Sequence, residues 1–424
     1  MSTRVKSFFV VMALLAYAIL CRPVSSLALT LDECYKAARE NYPLVRQYNL
    51  IELSREFTVE NAAKGYYPQL SFSASATYQS DVTELPFDID GVDFGLDKDQ
   101  YQLVLELQQT VWDGGAIKSE KEQVRAQSDA DSRQLDVTMY ALNNSVNQLF
   151  FGILLIDAQI EQNRLLQEQL ERNHSQVAAY LEQGVANRAD LDAVEVEQIE
   201  AAQTEGELHV NRRAYVDVLA LLTGLKLTAD VFLVKPLGEV PTVGGNNRPE
   251  LALYDAQRRQ IKVKENGLTA HYMPRLGVFA QGAYGDPGLD ILKGGFEFYC
   301  VAGIRLSWTI DGLYTRRNDK RLLDLNRSDI DVEEAAFLLN NRMEEAQHSR
   351  TVERLEMLME NDDEIIRLRT SIRQSAEAKV ANGTLSVTEM LREVTAEDQA
   401  RQAKAIHEVQ RLQAIYDIKY TVNL

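Results

Sequence analysis

Asp190 and Glu389 are the carboxylates of this chain whose surroundings suggest a task. Each stands three residues after a side chain able to cap a helix, Asn187 and Ser386, where a negative charge complements the exposed N–H groups of a first turn. Arg392 lies about one helical turn beyond Glu389. This is ionic rather than catalytic chemistry. The sets of residues that an enzyme needs are missing: His174, His209, His271, His348 and His407 are scattered without metal-ligand spacing, and there is no Ser/His/Asp order, Gly-rich phosphate loop or convergent carboxylate pair. The chain is therefore expected not to be an enzyme and to need no metal or cofactor.

The elements that position these carboxylates are helical hairpins. Around the first, the chain runs Tyr180-Leu181-Glu182-Gln183-Gly184-Val185-Ala186-Asn187-Arg188-Ala189-Asp190-Leu191; around the second, Gly383-Thr384-Leu385-Ser386 leads to Glu389. Glycine adopts the left-handed conformation that ends a helix, and Asn187 or Ser386 starts the next. Before each tip lies a run of nearly 70 residues without proline, a rod of ~100 Å if helical. Within the first, Leu149 to Ile156 forms an apolar belt suited to a helix packed on several sides.

The same order of elements occurs twice. Tyr67-Pro68-Gln69-Leu70 is matched by Met273-Pro274-Arg275-Leu276, Trp112-Asp113-Gly114 by Ile310-Asp311-Gly312, and Glu182-Gln183-Gly184 by Ala381-Asn382-Gly383, at offsets of 198 to 206 residues. The expected organisation is a signal peptide over 1–28, then a first repeat over 29–224 comprising a helix (about 31–65), a β-hairpin (about 69–112), a long helix, a tip (about 184–189) and a return helix. A linker over 225–248, rich in Pro and Gly, leads to a second repeat over 249–424 with a hairpin at about 275–311 and a tip at about 383–388. Repeats of this length usually stack against one another.

The strands alternate. From Phe296 to Ile310 one face carries Phe298, Cys300, Ala302, Ile304, Leu306 and Trp308, and the other Glu297, Tyr299, Arg305 and Ser307. Leu70, Phe72 and Tyr78 alternate with Ser71, Ser73 and Gln79, and Leu103, Leu105 and Leu107 with Gln102, Glu106 and Gln108; over 276–284, Phe279 and Gly282 blur the faces. A period of two with one apolar face fits a half-buried sheet or a barrel in lipid. Arg4 and Lys6, the apolar run from Phe8 to Leu20 and small residues at Ser26 and Ala28 form a secretory signal, which favours the barrel. Cys21 offers a lipoprotein alternative, although Leu20 stands where a lipobox needs a small residue. No later stretch approaches the ~18 apolar residues of a spanning helix. Four strands cannot close a conducting barrel, and an open edge in lipid leaves backbone groups unpaired at several kcal/mol each, so strands from several copies are expected to share one barrel.

The net charge of −18 and pI near 4.9 exclude a nucleic-acid partner, whose phosphates require a basic footprint. Hydrophobic content of 45% with 25% charged residues is globular. Cys34 and Cys300 are expected to be two small buried hydrophobes rather than a disulfide.

In their order and spacing these elements resemble the TolC-like outer membrane efflux protein family. The motifs that carry the resemblance are Leu29-Thr30-Leu31-Asp32-Glu33-Cys34, Asn41-Tyr42-Pro43, Pro68-Gln69-Leu70, Trp112-Asp113-Gly114-Gly115, both glycine tips and Leu221-Leu222-Thr223-Gly224. The fold implied is α+β: four barrel strands per chain, closed by trimerisation, joined to a long α-helical coiled-coil tunnel of two internal repeats. The resemblance also implies a homotrimeric channel in outer-membrane lipid with a periplasmic helical domain. Its tips, at Gly184, Val185, Ala186, Gly383, Thr384 and Leu385, would dock a periplasmic adaptor (a membrane fusion protein) bound to an inner-membrane pump, and cargo would pass unchanged. Gate positions carry over in part. Glu389 matches an acidic ring at the entrance, whose like charges would raise their own pKa, or it only completes its helix start. Arg392 replaces a second acid and Leu385 a basic latch residue, while the latch's acidic partner remains as Asp190; Arg392 would then supply a substitute contact to Glu389 or Asp190. The alternative is a structural periplasmic coiled-coil or adaptor-type protein without a channel.

Overall fold

Residues 28–82, 97–241, 244–291, 294–310 and 312–424 are described by a computed structural model. The expected signal segment as far as residue 27, Cys21 within it, and Asp311 lie outside the described residues. The chain separates into two compact units, and each draws on both halves of the sequence. One comprises Met1–Val45, Thr138–Arg248 and Leu339–Leu424; the other comprises Arg46–Val137 and Pro249–Leu338.

In chain order the elements are β1 (Ala28–Leu29), α1 (Leu31–Asn41), α2 (Val45–Ala63), β2 (Gln69–Tyr78), β3 (Asp99–Trp112), α3 (Ala116–Glu182), α4 (Arg188–Thr223), β4 (Phe232–Leu233), α5 (Pro249–His271), β5 (Arg275–Asp286), β6 (Glu297–Ser307), α6 (Gly312–Ala381) and α7 (Val387–Val422). The two halves match closely: α3 and α6 have 67 and 70 residues, and α4 and α7 have 36 each. The single first helix expected over 31–65 is instead two. Pro43 lacks an N–H and holds Tyr42 extended, at φ −64° and ψ 128°, so α1 stops there.

The unit containing Arg46–Val137 and Pro249–Leu338 holds a four-stranded antiparallel sheet in the order β2-β3-β5-β6. Its register gathers the apolar residues onto one face: Leu70 pairs with Leu107, Phe72 with Leu105, Leu103 with Tyr284, Tyr284 with Phe298 and Val278 with Ile304. This face is bare, with Phe72 and Phe298 each 69% exposed and Ile304 73%. The opposite face is polar and internally bonded. Gln102 donates to the Tyr299 hydroxyl at 2.6 Å, and Arg305 pairs with Glu106 at 3.3 Å while lying 4.6 Å from the Phe279 ring centroid.

The pairing also resolves the ambiguity of β5. Phe279 stands directly across from Gly303, where a Cβ would come within 3.1 Å of its ring. The missing side chain makes room for an aromatic ring on the polar face. The β6 ladder ends at Ser307, short of the alternation that continues to Ile310, and the Trp308 indole N–H donates to the Tyr272 carbonyl at 3.1 Å. Cys300 is exposed, not buried as expected, because its parity places it on the bare apolar face; Cys34 is fully buried, and both are free thiols.

The other unit is built on the apolar belt. Phe150, Phe151 and Ile153 of α3 are fully buried against Leu31, Cys34 and Ala38 of α1, Leu219 of α4 and Leu412 of α7. Leu29 and Leu233 join the same core through the parallel pairing of β1 with β4, a strand that lies inside the expected linker. No helix among the described residues is long and apolar enough to cross a membrane.

Candidate functional site at the helical tips

Both tips are closed by the backbone. After α3, the Val185 and Ala186 amides donate back to the Tyr180 carbonyl at 2.9 and 3.2 Å; after α6, the Thr384 amide donates to the Lys379 carbonyl at 2.9 Å. Those bonds require a left-handed residue, and Gly184 and Gly383 supply it at φ +74° and +66°. Each tip then starts a helix with a reciprocal capping box. The Asn187 side chain accepts from the Asp190 amide at 3.1 Å while Asp190 accepts from the Asn187 amide at 3.0 Å. The Ser386 hydroxyl accepts from the Glu389 amide at 3.2 Å and donates to the Glu389 carboxylate at 2.9 Å.

The two tips are brought together by one apolar cluster. Val177, Leu191 and Val194 of the first hairpin pack with Val380, Val387, Met390 and Leu391 of the second, and Ala186 and Leu385 rest against this cluster. Gly184, Val185, Gly383 and Thr384 remain exposed at the turn, and a Cβ at either glycine would meet nothing within 4 Å.

Glu389 is exposed, and within one chain its carboxyl is held below the usual range. Hydrogen bonds from the Ser386 hydroxyl and backbone are the main cause, and the Arg392 charge adds to them. Glu389, Arg392, Lys379 and Leu385 help to line an open groove of about 540 Å³. The substitute latch is not formed within the chain: among the described residues, Arg392 makes no ion pair with Glu389 or Asp190, and both carboxylates are occupied by their caps.

Sequence reasoning missed a buried ionic knot beside the tips. Glu397, 5% exposed, accepts from Thr370 at 2.8 Å and from Arg401 at 2.6 Å, and it pairs with Arg373, which also holds Glu377. Burial alone would push the Glu397 carboxyl up, but hydrogen bonds from Arg373, Arg401 and Thr370 outweigh it and leave the group below the usual range. The i,i+4 spacings of Arg373/Glu377 and Glu397/Arg401 were visible signals; their pairing across two helices was not. A second inter-helix pair joins His407 to the buried Asp362 at 2.9 Å. None of these groups forms a metal-ligating cluster among the described residues.

Residues 34–225 match the family model described as outer membrane efflux protein. No curated protein matches the chain. Among solved structures, the outer membrane protein VceC from Vibrio cholerae is similar at 12% identity and a TM-score of 0.67, over 92% of this chain and 95% of that one. The CmeC outer membrane channel of Campylobacter jejuni is similar at 15% identity and 0.64, over 92% and 85%. The open-state MtrE outer membrane channel of Neisseria gonorrhoeae is similar at 14% and 0.62, over 92% and 88%. At such identities the likeness establishes the fold, which is the α+β architecture of a helical tunnel and barrel strands. Over residues 34–225 the chain matches the outer membrane efflux protein family, and over its described length it has the TolC-like fold of these channels.

Proposed function

We propose that this protein is the outer-membrane duct of an export system, a homotrimer whose tips dock a periplasmic adaptor coupled to an inner-membrane pump. The observation that carries this reading is the sheet. It presents an exposed apolar face, a polar opposite face and, among the described residues, unpaired outer edges on β2 and β6. In hydrocarbon such edges must pair with another copy, and three chains of four strands close a twelve-stranded barrel with the apolar face towards lipid. Leu325, Val332 and Leu339 on α6 are exposed at seven-residue spacing, a seam suited to a neighbouring helix.

Transport through such a duct requires no chemical step. The tips are the docking surface, and adaptor binding favours a dilated entrance over a closed one by differential affinity. Three copies of Glu389 around the axis would concentrate negative charge at the entrance, and their mutual repulsion would oppose the cap's lowering of the carboxyl pKa. The test combines mass measurement in mild detergent with bilayer recordings. A trimer with cation-preferring conductance, reduced by Glu389→Gln, is expected; a stable monomer without conductance would return the chain to a structural coiled-coil protein.

A further inference from the structure

The start of α6 is anomalously basic. Its first ten residues, Gly312 to Arg321, contain Arg316, Arg317, Lys320 and Arg321 against the single acid Asp319, a net charge of +3 in a chain of net charge −18. Cations at the positive end of a helix are disfavoured, and the fold does not demand them here. At the equivalent place in the first repeat, α3 opens with Lys118, Lys121 and Arg125 interleaved with Glu120 and Glu122, which nearly cancel.

Part of the charge is used locally. Lys320 pairs with Glu265 at 3.5 Å, Arg316 lies 5.7 Å from the Tyr272 ring centroid, and Asp319 is occupied by Tyr272 and Thr315. Arg317 and Arg321 are exposed and have no ion pair or hydrogen bond among the described residues. They are four apart and therefore share one side of the helix with Leu313 and Leu325, both exposed.

These arginines follow the end of β6, at Ser307, by 10 and 14 residues. The strand ends nearest α6 and α3 carry exposed aromatics: Trp308 at 56%, Trp112 at 46% and Tyr67 at 64%, with Tyr314 at 84% two residues into α6. Amphipathic rings of this kind sit at the headgroup level of a bilayer. Arg317 and Arg321 lie roughly 7 and 13 Å along the helix axis from Gly312, the first residue of α6. Helical side chains lean towards the N-terminus, which here is the sheet end, and long basic side chains extend their charge further.

We propose that Arg317 and Arg321 bind the anionic headgroups of phospholipids in the leaflet at the helix-connected end of the sheet. This rests on the barrel reading above. It extends that reading by naming a lipid class and the residues that select it, and charge complementarity together with the exposed aromatics at the strand ends that α6 follows is what commits the surface to lipid.

The experiment uses the full protein and its Arg317→Gln/Arg321→Gln variant in nanodiscs of equal parts phosphatidylcholine and phosphatidylglycerol. Lipids retained after mild delipidation are counted by native mass spectrometry. The chain has only two tryptophans, Trp112 and Trp308, so quenching by brominated lipid tails reports specifically on the strand ends. Strong quenching is expected in both proteins, with phosphatidylglycerol retained preferentially by the parent. In the variant that preference should fall roughly twenty-fivefold, about fivefold for each arginine, with the trimer intact. Quenching without any preference, or a preference that survives in the variant, would overturn the headgroup site and leave the channel reading standing. Loss of the trimer with lipid preference unchanged would also overturn it, by assigning the arginines to a neighbouring copy. Absence of quenching in the parent would instead count against the barrel in lipid.

Discussion

Asp398 and Glu397 are adjacent on α7 yet are driven in opposite directions, and replacing Asp398 with asparagine tests why. The Asp398 carboxyl is pushed up to about 6 from 3.8, chiefly by burial and further by the Glu397 charge, against the opposing influence of Arg401 and Gln402. A group whose folded pKa lies above its unfolded value contributes stability that is fully present below the unfolded pKa and lost as pH rises through the folded one. Ionised Asp398 is therefore a liability at neutral pH. At about 1.4 kcal/mol per pKa unit, a shift of about two units sets a ceiling near 3 kcal/mol. A cavity of about 260 Å³ that Asp398 lines with Arg172 and Arg401 gives its charge partial solvation, which lowers the expected gain to roughly 1–2 kcal/mol. Asparagine keeps an acceptor for the Gln402 amide, now at 2.9 Å. Helical circular-dichroism melts in detergent should show Asp398→Asn more stable than the parent at about pH 7.5, with the difference shrinking as pH falls and vanishing only below about pH 3. Glu397→Gln is the control of opposite sign. Its carboxyl is lowered, so its contribution is present above the unfolded carboxylate range and lost as pH falls through the folded value; the variant should lose about 3 kcal/mol or more at neutral pH. A destabilised Asp398→Asn protein at neutral pH, or a gain that ignores pH, would refute burial as the cause.

Gly224, at φ +70°, and Gly184, at φ +74°, make a paired test of the turns. A Cβ at Gly224 would come within 2.5 Å of Asn41 Oδ1, whose amide caps the Leu221 and Leu222 carbonyls, whereas at Gly184 it meets nothing. Alanine at Gly184 should cost only the backbone penalty of about 1 kcal/mol, and at Gly224 clearly more; equal thermal shifts would show that Asn41 yields freely. Cys34 is fully buried and its thiol is pushed up to about 12, so maleimide at mildly alkaline pH should label it only after denaturation. On β6, Arg305→Cys should react with a water-soluble thiol reagent in the membrane-inserted protein and Ile304→Cys should not; equal rates would mean the apolar face is not covered by lipid.

Local pattern was sufficient for the kinds of element and their order. The period of two in Leu103, Leu105 and Leu107, the proline-free runs and the Asn187 and Ser386 caps are governed by interactions within a few residues, and such interactions are written contiguously in the chain. Glu389 and Asp190 could be placed at helix starts for the same reason. The break at Pro43 follows the same local chemistry, although its consequence for the first helix emerged only with the fold.

Other features depended on residues far apart in sequence that only packing brings together. β4, inside a proline- and glycine-rich linker, becomes a strand because Leu29 offers it an edge and a core. Phe279 can face the polar side because Gly303, 24 residues away, vacates the space above it. Cys300, a small apolar residue that composition alone would bury, is exposed because strand parity puts it on the bare face. The Glu397–Arg373 knot needs two helices in one register: side-chain charge is legible in sequence, but the neighbour that makes burial of that charge tolerable is chosen by the tertiary structure.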